Sequence, residues 1–167
     1  MALSLAYLIV TGTTTAPRAA ELVQALLSLV PAVITIATPN AAQVMAPRDL
    51  SVLPGNRLVE SYFDAAILPR PPDGLVLVAP CSFNSLTKLA AGIADNLALS
   101  VTAEAIGRGT PVLVAPSLNA PLQRHPRCLS SVAELRTWGV TVIDTVNDRL
   151  APTEDILAAV RSALHMT

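Results

Sequence analysis

The sequence predicts an α/β domain: a Rossmann-like, doubly wound parallel sheet of about six strands with helices on both faces. Three observations carry this. Short, continuous apolar runs recur along the chain, as strands buried on both faces require. Helix-length stretches separate those runs, so successive strands are joined by crossovers. Right-handed crossovers then wind the sheet outwards in two directions. The length supports one such unit, because 167 residues and 17.4 kDa hold one core, and residues 1–167 are read as a single domain.

The elements follow in order. Leu5 to Val10 (LAYLIV) is a buried strand ending at Thr11-Gly12. Pro17 to Leu29 is a helix with Leu22, Leu26 and Leu29 on one face. Ala32 to Ala37 (AVITIA) is a second strand, after which Asn40 can cap a short helix to Met45. Arg48 to Asp73 is the least regular region, punctuated by Pro54, Pro69, Pro71 and Pro72, with a short strand near Leu58 to Glu60. Leu75 to Ala79 (LVLVA) is a strand that stops at Pro80. Helices run from about Asn84 to Ala91 and from about Leu97 to Gly107. Pro111 to Ala115 (PVLVA) is the next strand. Pro126 to Trp138 is helical, Gly139 ends it, and Val140 to Ile143 is the last strand. Thr153 caps a final helix to Leu164, with Glu154 and Asp155 in its first turn, where they complement the helix dipole.

Composition excludes several function classes. Apolar residues make up 52% and charged residues 14%, so the chain is not disordered. The net charge is −1, with one Lys and ten Arg in no run, so nucleic acid is not an expected partner. A mean hydropathy of +0.55 raises the question of a membrane span. The longest uncharged stretch, Leu22 to Pro47, is divided by Pro31 and Pro39 well below the ~20 residues a span needs, so no membrane partner is expected. The N-terminus has no basic segment of the signal-peptide kind, and Cys81 and Cys128 lie in different contexts. A cytoplasmic, reduced setting follows. The apolar excess implies burial against further copies of the chain, hence a homo-oligomer.

In a doubly wound sheet, ligands sit beyond the carboxyl ends of the strands. Four loops there are unusually polar. Thr11-Gly12-Thr13-Thr14-Thr15 joins a close-approach glycine to hydroxyls at a helix start, a pattern suited to phosphate, although an ordinary helix cap also uses these residues. It lacks the glycine spacing of dinucleotide and nucleoside-triphosphate loops. Thr38-Pro39-Asn40 read alone is a turn and cap. Pro80-Cys81-Ser82-Phe83-Asn84-Ser85, followed by Lys88, Gly92, Asp95 and Asn96, is the densest polar stretch, and capping accounts for only part of it. Pro116-Ser117-Leu118-Asn119 closes the set, with Asn119 otherwise a turn former.

These motifs resemble the superfamily of homo-oligomeric flavin-containing cysteine decarboxylases, which includes phosphopantothenoylcysteine decarboxylase and the peptidyl-cysteine decarboxylases of lanthipeptide-type pathways. Its P-A-S-A-N-T signature is matched by Pro80 to Ser85, and its P-x-M-N-x-x-M-W signature by Pro116 to Gln123. Thr11 to Ala16 resembles its T-G-S-I-A-A flavin loop, and Thr38 to Ala41 its T-x-x-A. The four lie in register over nearly the whole chain. The resemblance implies FMN, with the phosphate at Gly12, Thr13 and Thr14 and Thr38 on the phosphate or ribityl region. It puts Pro80, Cys81, Ser82, Asn84 and Ser85 along the flavin, Asn84 near the reacting side and Asn119 on the substrate carboxylate. It implies oxidative decarboxylation of a peptide or small cysteinyl substrate. The thiolate's β-carbon gives up a hydride to the flavin, the thioaldehyde acts as electron sink, and CO₂ leaves to give an enethiolate. It implies assembly on trimers, up to a dodecamer, with the flavin at a subunit boundary.

The chain departs from that pattern in three places. No His precedes His125, so the family's catalytic His between the third and fourth strands is missing, and Asp64, Glu60 and Tyr62 are the candidate substitutes in that segment. The substrate clamp and reducing Cys of the phosphopantothenoylcysteine enzymes have no counterpart between Ile143 and Leu150. Gln123 stands where the motif has Trp. These departures favour a peptide C-terminal cysteine as substrate, and leave open a flavin prenyltransferase-like enzyme or a non-catalytic FMN-binding subunit. His125 reads as a surface residue near a helix start that can still reach the site from a loop or a neighbouring subunit. Cys128 and Trp138 read as packing, Cys81 packs beside the flavin, and no Cys/His cluster has metal-ligand spacing.

Overall fold

The apolar runs pair as one sheet in the computed structural model, which describes residues 3–165. The strands are β1 (Leu5–Val10), β2 (Ala32–Ala37), β3 (Asn56–Leu58), β4 (Leu75–Cys81), β5 (Val112–Pro116) and β6 (Thr141–Val142). All pairs are parallel, in the order β3-β2-β1-β4-β5-β6. The chain therefore winds outwards from β1 to β3 on one side and from β4 to β6 on the other, and the direction reverses between β1 and β4. This is the predicted doubly wound architecture.

Alternation along β1 divides the core. Ala6, Leu8 and Val10 pack under α1 (Ala19–Leu27) and α6 (Thr153–His165). Tyr7 and Ile9 face α2 (Phe83–Ala90), α3 (Leu97–Arg108) and α5 (Pro126–Thr137). Every β4 residue is buried, as a central parallel strand covered on both faces must be. Among the described residues, no helix is long and apolar enough to cross a membrane.

Several elements differ locally from the sequence reading. The stretch before α1 is a 3₁₀ turn, Ala16–Arg18, with Pro17 near its start, where a missing N–H costs nothing. β3 lies at Asn56–Leu58, earlier than Leu58 to Glu60, because the Asn56 amide is held there. Its Oδ1 accepts from the Thr35 hydroxyl at 2.8 Å and its Nδ2 donates to the Leu50 carbonyl at 2.9 Å. β4 does not stop at Pro80 but continues to Cys81, after a register shift between Val78 and Cys81. Asn40 stands at the start of a 3₁₀ turn, Ala41–Gln43, and makes no capping bond. Thr153 lies within the first turn of α6, whose opening N–H groups at Asp155 and Ile156 go to the Pro152 carbonyl, and its hydroxyl serves Arg18 and Glu21 instead. Asn119, a turn former in the sequence reading, caps a short helix, α4 (Ala120–Gln123).

Beyond their last paired residues β1 and β4 are joined at Thr11, whose backbone N–H donates to the Pro80 carbonyl at 3.3 Å and whose side chain adds two further bonds. Thr11 is fully buried; its hydroxyl donates to the Pro80 carbonyl at 2.7 Å and accepts from the Ser82 N–H at 2.8 Å. Thr11→Val keeps the shape and leaves that N–H unpaired, which should cost about 1–3 kcal/mol. A loss of roughly 2–4 °C in Tm per kcal/mol is then expected in thermal unfolding. Thr11→Ser, which keeps the hydroxyl, should lose distinctly less. Equal melting of the valine variant and the parent would mean that the stitch contributes nothing.

Candidate functional site

The reversal between β1 and β4 opens a crevice at the carboxyl edge of the sheet, and the four polar loops meet there. Loop one, after β1, lies against loop two, after β2. A Cβ on Gly12 would come within 2.6 Å of Asn40 Cβ and 2.8 Å of its carbonyl. Gly12 is therefore required by the approach of the neighbouring loop. Thr38 N–H donates to the Val10 carbonyl at 2.9 Å, which fixes that approach.

Two cavities adjoin at this edge, sharing Gly12, Ser82 and Asn84. The smaller, about 290 Å³, is lined by Thr38, Asn40, Ser85, Lys88, Asp95 and Asn96 as well. The Thr38 hydroxyl is buried and has no hydrogen-bond partner among the described residues. Lys88 and Asp95 form a 2.7 Å ion pair on its wall, and the hydrogen bond from Lys88 holds the Asp95 carboxyl below its ordinary range. The larger cavity, about 740 Å³, is lined by the Thr13-Thr14-Thr15 loop, Phe83, Ser117, Asn119, Asp148 and Arg149 among others.

The hydroxyls are ordered into relays. Thr15 donates to Ser117 at 2.7 Å and lies 2.8 Å from the Thr13 hydroxyl, so Thr13 must be the donor of that pair. Thr13 is thus committed, while the Thr14 hydroxyl has no partner among the described residues. Ser82 caps α2, its Oγ accepting from the Ser85 N–H and donating to the Ser85 hydroxyl, both at 3.1 Å. Asn119 caps α4 through Oδ1, which accepts from the Leu122 N–H at 3.1 Å. The cap fixes the amide plane and leaves both Nδ2 protons without a partner among the described residues.

Gln123, the residue in place of Trp, is a strut. Its Nε2 donates to the Leu118 carbonyl at 2.9 Å and to Asp148 Oδ1 at 3.0 Å, and its Oε1 accepts from Thr145 at 2.9 Å. It ties the loop after β5 to a tight turn in which Val146 and Arg149 exchange backbone bonds around Asn147 and Asp148, both at positive φ (51° and 58°). Those are the angles of a type I′ turn, which Asn and Asp tolerate.

The structure brings together Gly12, Thr13, Thr14, Thr38, Ser82, Asn84, Ser85 and Asn119. Pro80 and Cys81 lie behind this wall: Cys81 is fully buried in the core, its thiol pushed well above the ordinary range by burial, and it lines neither cavity. Asp64 is also outside both cavities. It pairs with Arg57 at 2.7 Å and accepts from the Ala66 N–H at 2.8 Å, beside the β3 edge. His125 stands beyond Phe83, in T-shaped contact at 5.1 Å, and its Nδ1 accepts from the Arg127 N–H at 3.0 Å as the cap of α5. Cys128 is buried as read, whereas Trp138 is 42% exposed and borders a cleft of about 350 Å³ at the opposite end of β5 and β6. Thr15, Ser117, Asp148 and Arg149 line the larger cavity without having been singled out in the sequence. The first two lie inside the motifs already recognised, and the Asn147-Asp148 pair is itself a turn signal.

The Flavoprotein family description matches residues 5–165. The chain is 32% identical over 152 residues to a probable phosphopantothenoylcysteine decarboxylase of Streptococcus mutans, covering 86% of this chain and 84% of the relative. It is 35% identical over 100 residues to phosphopantothenoylcysteine decarboxylase of Mus musculus, covering 54% and 48%. It spans about half the length of that mouse relative and about a third of the bifunctional coenzyme A biosynthesis proteins it also matches. Among solved structures, the FMN binding protein AtHal3 superimposes with a TM-score of 0.81 at 20% identity, covering 98% of each chain, a likeness of fold.

Burial of both cysteines makes a chemical expectation. In the native protein neither Cys81 nor Cys128 should react with an aromatic disulfide reagent at mildly alkaline pH, and both should titrate once the chain is unfolded. Native labelling of Cys81 at the rate of a free thiol would put it in the cavity.

Proposed function

This chain belongs to the Flavoprotein family, and from that premise we propose that it is an FMN-dependent decarboxylase of a cysteinyl carboxylate. The observation that carries the cofactor is the Thr38 hydroxyl, buried without a partner among the described residues on a cavity walled by Gly12, Asn40, Ser82, Asn84 and Ser85. A buried orphan of this kind is costly unless a ligand completes it. Gly12, Thr14 and Thr15 also present backbone N–H groups that lack partners among the described residues, a donor set suited to a phosphate. These residues fit FMN: loop one for the phosphate, Thr38 for the phosphate or ribityl chain, and Ser82, Asn84 and Ser85 along the ring system. When bound, FMN supplies the two-electron oxidation that makes the cysteinyl carboxylate a leaving group.

The chain's own part is orientation. Asn119, its amide plane set by the α4 cap, offers two N–H donors to the substrate carboxylate without a charge that would hold the carboxylate back from leaving. The Ser117 hydroxyl, at the end of the relay through Thr15, keeps its own proton to donate into the same cavity. The tight turn at Val146–Arg149 occupies the place where a long clamp would stand, so the cavity mouth remains open. That supports a substrate larger than a free amino acid, such as a peptide ending in cysteine. Lys88 is committed to Asp95, which leaves Arg149 as the cation of these two cavities, too few for a prenyl-phosphate site.

A non-catalytic FMN-binding subunit is the second reading. It is favoured by the position of Asp64 and His125, neither of which lines the two cavities at the crevice. A homo-oligomer built on trimers bears on this point. Phe63 is 85% exposed and Tyr62 50% exposed, directly beside Asp64, so an apolar surface awaits burial where the family's base would lie.

Three outcomes test the reading. FMN at a hundredfold excess over its Kd should stabilise the protein by about 2.7 kcal/mol, roughly 5–10 °C in Tm, and Thr14→Glu should abolish the shift by setting like charge against the phosphate. Asn119→Asp should keep the α4 cap and the yellow colour. Its turnover of a Cys-terminated peptide, read as loss of the mass of CO₂ plus two hydrogens, should fall about a hundredfold or more. Wild-type rates in that variant would remove Asn119 from the site, and a flavin-loaded wild type without turnover would favour the non-catalytic reading. Light scattering should report an oligomer that Phe63→Asp dissociates; a monomeric parent at micromolar concentration would overturn the assembly.

A further inference from the structure

A second groove adjoins the larger cavity. It measures about 700 Å³ and is lined by Arg18, Glu21, Val146, Asn147, Arg149 and Thr153, with Leu150 and Pro152. Arg149 is the residue common to the two. It therefore stands on the boundary between the cavity that holds Asn119 and an open channel leading away from it. A substrate whose reacting end lies at Asn119 and whose remainder runs into this channel passes Arg149.

The two arginines of this channel are in different states. Arg18 is spent: it donates to the carbonyls of Leu150 and Ala151 and to the Thr153 hydroxyl, and pairs with Glu21. The Arg149 guanidinium has no ion-pair partner or side-chain hydrogen bond among the described residues. Its neighbour Asp148 forms no ion pair with it among the described residues and accepts from Gln123 instead. The turn that carries Arg149 is held from three sides: by the paired backbone bonds of Val146 and Arg149, by Asp148 on Gln123, and by Thr145 on Gln123. A planar, permanently charged donor on a fixed support, at the exit of a site and without an internal partner, suits an oxyanion brought by the ligand.

We infer that Arg149 is a specificity-determining residue that recognises an acidic group, carboxylate or phosphate, carried by the substrate outside its reacting cysteinyl end. The inference rests on the decarboxylase reading above for the placement of the reacting end at Asn119. Gln123 is then a positioning residue that holds Arg149 through the turn.

The test uses the FMN-loaded protein and reads ligand binding by the change in flavin fluorescence, so it does not depend on turnover. The probes are short peptides ending in cysteine, matched in pairs: glutamate against glutamine, and phosphoserine against serine, at the positions before the cysteine. A third pair sets the free C-terminal carboxylate against its amide. Wild type should prefer the acidic member of the glutamate or the phosphoserine pair by about fivefold at low ionic strength, with the preference falling in salt. Arg149→Gln should abolish that preference, retain FMN, and leave the preference for free carboxylate over amide unchanged. Arg149→Lys should keep part of it, and Gln123→Ala should weaken it. The glutamate and phosphoserine pairs distinguish carboxylate from phosphate.

The inference is overturned if wild type shows no preference in either pair, if it binds none of the peptides, or if Arg149→Gln keeps the preference. It is equally overturned if Arg149→Gln releases FMN, which would place the guanidinium on the cofactor phosphate. The same holds if that variant loses only the preference for free carboxylate over amide, which would place it on the reacting end. Acid preference without turnover would sink the decarboxylase activity and leave the recognition standing.

Discussion

The Thr11 hydroxyl is the constraint on which the site depends. β1 and β4 are neighbours in the sheet, but the chain leaves them in opposite directions, so their following loops diverge and expose backbone groups at the crevice. Thr11 occupies that point with no exposure and saturates one donor and one acceptor of the β4 loop. With Ser82 N–H fixed in this way, the Ser82 side chain is free to cap α2, and the cap sets where Asn84 and Ser85 stand. The approach of loop two to Gly12 completes the frame. A residue with no exposure to the cavity thus decides the position of those that have it.

The site is built almost entirely from neutral donors. Threonine and serine hydroxyls, the amides of Asn40, Asn84, Asn96 and Asn119, and unpaired backbone N–H groups line it, while Lys88 and Asp95 cancel each other on its wall. Neutral groups in fixed orientations bind an anion without holding it so tightly that a carboxylate cannot depart, and they need little reorganisation when charge moves. Fixed orientation is supplied by economy of use: the oxygen of Asn119, the oxygen of Ser82 and the ring nitrogen of His125 each cap a helix, so each side chain has one degree of freedom fewer. In His125 the same economy turns the imidazole towards α5 and Phe83.

Much of this was legible in the sequence because it depends on local pattern. Continuous apolar runs such as LVLVA identify strands buried on both faces, and their number and spacing fix a parallel sheet. Clustered small polar residues after those runs marked the crevice. What the sequence did not carry was partnership at a distance. Thr13 and Thr14 look equivalent in the chain, yet Thr13 is committed to Thr15, which itself donates to Ser117, 102 residues beyond it, and Thr14 is not. Asp64 looks like a candidate base until Arg57 is seen against it. β3 slipped two residues from its expected position because Thr35 on the neighbouring strand and Leu50 claim the Asn56 side chain. Capping, too, was misread where a side chain had a better partner: Thr153 goes to Arg18 and Glu21 across the α1–α6 face.

Two of the departures from the family pattern turn out to be one structural unit. Gln123 stands where the motif has Trp, and the segment between Ile143 and Leu150 is short. Taken separately, each looks like a loss. In the fold they meet: a side chain with both a donor and an acceptor reaches Leu118, Thr145 and Asp148 together, which an indole with a single N–H could not do. A turn of two central residues has no room for side chains of its own to pack beneath it, so its position must be fixed from outside, and Gln123 does so. The replacement of Trp and the shortening of the segment are therefore mutually dependent. Restoring Trp at this position alone would remove the bonds that Asp148 and Thr145 make to Gln123, and lengthening the turn alone would leave Gln123 only its bond to the Leu118 carbonyl. The positive φ of Asn147 and Asp148 belongs to that tight reversal, and the residue that follows it, Arg149, lines the cavity wall.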